Sequence, residues 1–152
     1  MNRPLAQQGI VALEMAMILP LLLMMLYGLV LFSIMFSIKG TVAFASTEGA
    51  RAALVFQPAS DEATALSMRG NQARNACMQS GEWLTRIHTK AYQCAVTSTP
   101  CSYDTSFYCV QVIAQYDYLD FPIVPLIGLT PGLVLPLLQS QAESQINVFN
   151  LF

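Results

Sequence analysis

The chain has 152 residues, of which 55% are hydrophobic and 11% charged, and its net charge is −2. That length holds one small domain and a membrane anchor, not a multidomain enzyme. No Lys or Arg follows Lys90, whereas Asp104, Asp117, Asp120 and Glu143 do, so the C-terminal half lacks the basic stripe a nucleic-acid partner would need.

The chain opens with a short polar leader carrying Arg3, then Gly9, four apolar residues, Glu14 and a long apolar run. From Met15 to Ile38, 24 residues pass without a charge. As a helix rising about 1.5 Å per residue they would cover roughly 36 Å, more than the hydrocarbon core of a bilayer. The run exceeds the apolar region of about 7–15 residues in a cleaved secretory signal, and Ala43-Phe44-Ala45 lies beyond the usual cleavage position, so the segment is expected to stay in the mature protein. Glu14 has two readings: it sits at headgroup depth beside water, or it marks function, because an unpartnered carboxylate costs a few kcal/mol at the edge of a membrane helix.

Gly9, Glu14 five residues later and the apolar helix together resemble the type IV prepilin signature. In that signature a membrane-embedded peptidase cuts after the glycine, and the glutamate becomes residue five of the mature chain. The resemblance implies a cut between Gly9 and Ile10, with the Glu14 carboxylate of one subunit neutralising the new Ile10 amine of its neighbour.

After Lys39 the chain is rich in alanine and free of proline until Pro58, which predicts that the helix runs on to about Phe56, with Glu48 and Arg51 as an i,i+3 pair. Leu19-Pro20-Leu21-Leu22-Leu23 inside the span, and Ser46-Thr47-Glu48-Gly49-Ala50-Arg51-Ala52-Ala53 after it, sharpen the resemblance. With Gly9 and Glu14 they are similar to the TadE-like family of minor pilins, or pseudopilins, of the tight-adherence (Tad, Flp-type) pilus machinery. Met15 stands where that family often has an aromatic residue.

The resemblance covers residues 8–56 and implies a minor pilin cleaved by a prepilin peptidase. It implies anchorage in the bacterial inner membrane, with a periplasmic C-terminal domain and other pilin and pseudopilin subunits as partners. Pro20 reads as a tolerated kink or as an element of filament packing.

A second helix is expected from Ser60, a good N-cap followed by Asp61 and Glu62, to about Gln79, with Ala63, Leu66, Ala73, Ala76 and Cys77 as its buried stripe. Trp83 reads as a core or interface residue. His88 has no cysteine or carboxylate at ligand spacing, so no metal is expected. Strands are predicted over Lys90–Thr97 and Phe107–Asp117, joined by a turn at Thr99–Asp104, with a last strand around Ser140–Phe149. Around the second of these, Tyr108, Val110, Val112, Ala114, Tyr116 and Tyr118 alternate with the more polar Gln111, Gln115 and Asp117, as in a half-buried strand. Residues 121–138 carry Pro122, Pro125, Pro131 and Pro136 and no charge, which excludes a spanning helix. This loop either covers the sheet or exposes an apolar patch to the membrane or a neighbouring subunit.

Cys77, Cys94, Cys101 and Cys109 all follow the membrane helix and lack Cys-x-x-Cys spacing, which reads as two disulfides outside the cytoplasm. Four cysteines allow three connectivities. Strand parity favours Cys77 with Cys94 and Cys101 with Cys109, because Cys94 shares the buried face and Cys109 points away from it.

The expected fold is α+β and pilin-like. It has a leader at 1–9, a long helix at 10–56 whose membrane part is about 12–38, and an extracytoplasmic domain at 57–152 with a second helix and a small antiparallel sheet. No phosphate loop, Gly-x-Ser-x-Gly or paired histidines occur, so neither enzyme activity nor a cofactor is expected. The alternative function is an uncleaved, membrane-anchored periplasmic binding module that uses the proline-rich loop.

Overall fold

The computed structural model describes residues 6–124 and 137–147. In chain order these form α1 (Ala6–Ala52), α2 (Glu62–Ser80), α3 (Glu82–Ile87), β1 (Tyr92–Pro100), β2 (Phe107–Asp117) and β3 (Leu137–Asn147). The fold is α+β, with a long apolar N-terminal helix and a small antiparallel sheet. It divides into two units, Met1–Phe36 and Ser37–Phe152.

In the first unit the middle of α1 is apolar on every side: the consecutive residues Leu21, Leu22, Leu23, Met24 and Met25, about 100° apart around the helix, are all exposed. An all-apolar helix suits lipid, where backbone polar groups must be satisfied within the segment. Ser33 obeys the same constraint, its hydroxyl donating to the Leu29 carbonyl at 2.8 Å. Pro20 lies inside the helix, which continues through it.

In the second unit the rest of α1 becomes amphipathic. Ile38, Val42, Ala45, Ser46 and Gly49 are buried along one helical face. Gly49 lets the helix approach the sheet, since a Cβ there would lie 2.9 Å from Val112 Cγ1 and 3.1 Å from Cys77 Cβ. The Ser46 hydroxyl donates to Ser140 Oγ of β3 at 3.2 Å. The helix ends at Ala52, four residues before the expected Phe56. Glu48 and Arg51 form the anticipated i,i+3 pair, but at 3.9 Å and in solvent, so it contributes little.

The N-cap of α2 is Asp61 rather than Ser60. Its carboxylate accepts from the Thr64 N–H at 3.0 Å and from the Thr64 hydroxyl at 2.8 Å. Those two bonds, with the one donated by the Ser60 hydroxyl, hold the Asp61 carboxyl below its ordinary range. The buried stripe is Ala65, Arg69, Ala73 and Cys77. Ala63 is exposed and Leu66 and Ala76 are half-buried, so the expected stripe is correct at Ala73 and Cys77 and out of phase before them.

The sheet has the order β1-β2-β3, and both pairings are antiparallel. β1 begins at Tyr92 and runs to Pro100, later at both ends than predicted, and β3 begins at Leu137, earlier than Ser140. β2 has the predicted limits, with Val110, Val112, Ala114 and Tyr116 buried and Tyr108 half-buried. The expectations for Arg3, Pro125, Pro131, Pro136, Val148 and Phe149 lie outside the described residues.

Candidate processing and assembly site

Gly9, Ile10 and Glu14 all lie on α1. Ile10 precedes Glu14 by four residues, about 6 Å along the helix axis. Glu14 is exposed and flanked by the exposed apolar residues Val11, Leu13, Met15 and Met17. From Val11 onward the helix is long and apolar enough to cross a membrane.

The cysteines are in the second unit, where Cys77 of α2 is joined to Cys94 of β1, and Cys101 to Cys109 across the β1–β2 connection. These are the pairs that strand parity favours. The first ties α2 to the buried face of the sheet. The Tyr92 hydroxyl donates to the Cys77 carbonyl at 2.9 Å and lies 3.2 Å from Cys94 Sγ. Burial pushes the Tyr92 phenol up to about 12. The second disulfide closes the hairpin end, where Cys101 N–H donates to the Phe107 carbonyl at 2.9 Å.

Three structural residues escape sequence reasoning. Arg69 is 3% exposed within the α2 stripe, and its burial lowers its pKa. Tyr108 of β2 donates its hydroxyl to Glu62 at the start of α2, which raises the phenol pKa. Tyr92 is visible in the sequence as an inward strand residue, but its hydroxyl's place against a disulfide is a tertiary fact. Trp83, expected in a core or interface, is 40% exposed, and its indole N–H donates to the Thr41 hydroxyl at 3.2 Å. His88 caps α3 with its ring 5.7 Å from that of Phe121. Among the described residues no group of three His, Cys, Asp or Glu side chains could hold a metal ion.

The family model described as TadE-like protein matches residues 9–51. This segment is TadE-like. The match begins at Gly9, takes in Glu14 and Gly49, and ends one residue before the end of α1. It supports association with the Tad pilus and anchorage by the N-terminal helix. The second and third helices and the whole sheet lie outside the TadE-like match. No curated protein and no solved structure matches the chain.

Proposed function

We propose that this protein is a minor pilin or pseudopilin of a Tad-type pilus, cut by a prepilin peptidase between Gly9 and Ile10. On this reading it is a structural subunit of the inner membrane, with its disulfide-bonded domain in the periplasm, and it takes part in pilus assembly or adhesion. The observation that carries the proposal is the TadE-like match that begins at Gly9. The two disulfides support an oxidising compartment for the second unit.

The chemistry of the cut explains the spacing. Cleavage creates a charged amine on Ile10 at the start of a helix whose first four N–H groups have no intrahelical partner. A bare amine at the membrane edge is costly, and so is a bare carboxylate. Glu14 of an adjacent subunit removes both costs by pairing with the amine, so subunits associate where isolated ones carry uncompensated charge. Glu14→Ala is therefore expected to insert normally, and to be cleaved, yet to fail in assembly. Cells producing that variant with normal piliation would remove Glu14 from the mechanism. Gly9→Glu is expected to retain residues 1–9, and an unchanged mature mass would refute the cut.

A further inference from the structure

Hydrogen bonds at the ends of the β1–β2 ladder establish which way each β1 backbone group points. Asp117 N–H donates to the Ala91 carbonyl at 3.0 Å, and Cys101 N–H donates to the Phe107 carbonyl at 2.9 Å. Both contacts continue the register that runs from Tyr92 opposite Tyr116 to Pro100 opposite Tyr108. Antiparallel ladders alternate, so the odd-numbered β1 residues bond to β2, while Tyr92, Cys94, Val96 and Ser98 turn their N–H and C=O away from it. Pro100, which has no N–H, falls in this outward set, as an edge strand permits.

Among the described residues β1 is an edge strand. Its nine residues contain no charge, the usual device by which natural sheets keep an edge from pairing. Beside it runs a groove walled by Leu66, Gly70, Asn71 and Arg74 of α2, with Cys94 and Val96 of β1 opposite. Gly70 keeps this groove open. It lies inside a helix, where glycine is destabilising relative to alanine. Yet a Cβ there would meet nothing nearer than Val96 Cγ1 at 4.0 Å, so packing within the described residues does not require it. Among the described residues Arg74 is the one charged side chain lining the groove, and it takes part in neither of the described salt bridges.

We propose that the outer edge of β1 accepts an extended peptide segment of a partner protein as a fourth strand, with a carboxylate side chain of that segment against Arg74. Donors and acceptors alternating at strand pitch are matched by another extended backbone, and the groove supplies side-chain selection, the two parts of strand-addition recognition. The inference rests on the sheet geometry and not on the pilus reading.

The test is residue-resolved amide exchange on the full chain in detergent micelles. The probe is a capped nine-residue peptide of alternating serine and valine carrying one aspartate. In the free chain, the amides of Cys94, Val96 and Ser98 are expected to exchange faster than those of Ala95, Thr97 and Thr99. Peptide at about ten times its Kd is expected to slow the outward set about tenfold and leave the inward set unchanged. Gly70→Leu, which fills the groove while favouring the helix, is expected to abolish the effect, and Arg74→Glu to weaken it for the aspartate peptide.

Equal protection of both sets in the free chain would overturn the proposal, as would no slowing at saturating peptide or undiminished binding to Gly70→Leu. Protection of the outward set that grows with protein concentration alone would also overturn it, making the occupant a second copy of the chain.

Discussion

Removing the Cys77–Cys94 cross-link tests how the second unit is held together. The bond closes a separation of 17 residues. A loop of that length restricts the unfolded chain by about 3 kcal/mol in the chain-entropy treatment, against about 2.5 kcal/mol for the separation of 8 at Cys101–Cys109. Position widens the gap. Cys77 and Cys94 are 0% and 6% exposed, between α2 and β1, so alanine at both sites also removes buried sulfur packed beside Tyr92.

Urea unfolding of the full chain in a mild detergent can be followed by the fluorescence of Trp83, the single tryptophan, which lies in the same unit. With a slope of about 1.5 kcal/mol per molar urea, C77A/C94A should lower the midpoint by about 2 M, and C101S/C109S by less. A C77A/C94A midpoint close to wild type, or a larger loss from the hairpin pair, would refute the placement of the first bond as the brace between helix and sheet.

Gly49→Val should destabilise by about 1–3 kcal/mol despite removing a helix glycine, because its Cβ would press on Val112 and on the Ala73 carbonyl, 3.0 Å away; a raised urea midpoint would contradict this. The Asp61 cap predicts a pH signature. Its folded pKa is depressed, so its contribution is present above the unfolded value and lost as pH falls through the folded one. The stability difference between wild type and Asp61→Asn should therefore be flat near neutrality and change only in acid, and a difference independent of pH throughout would remove the charge from the cap. Tyr92 has the opposite sign: its folded pKa is raised to about 12, so its contribution is intact below the unfolded value of about 10 and is lost as pH rises through the folded one. Tyr92→Phe should be less stable at pH 7 but lose less between those limits, as read from unfolding midpoints.

The legible parts of the fold are those where one pattern repeats long enough to declare itself. Eleven residues of alternation define β2, and its inward face follows from parity alone. In α2 Arg69 occupies one of the buried turns, and a charged residue there breaks the apolar period, so the sequence pattern points to Ala63 and Leu66 instead. Ser60 and Asp61 are both good caps, and only the bond to Thr64 separates them. The six residues of α3 are too few to show a helical period, so the sequence pattern predicts no separate helix between α2 and β1. At the candidate site, the Gly9 and Glu14 pattern was legible as spacing on an apolar run. The β1 edge was not, because the direction of a backbone N–H depends on which partner residues it bonds.

The central claim stands on the bond between Gly9 and Ile10, and the N-terminus of the protein from the membranes of producing cells tests it most directly. Intact mass with N-terminal sequencing should find a chain that begins Ile10-Val11-Ala12-Leu13-Glu14 and lacks residues 1–9. A mature chain that still carries Gly9, or that begins beyond Glu14, would contradict the account.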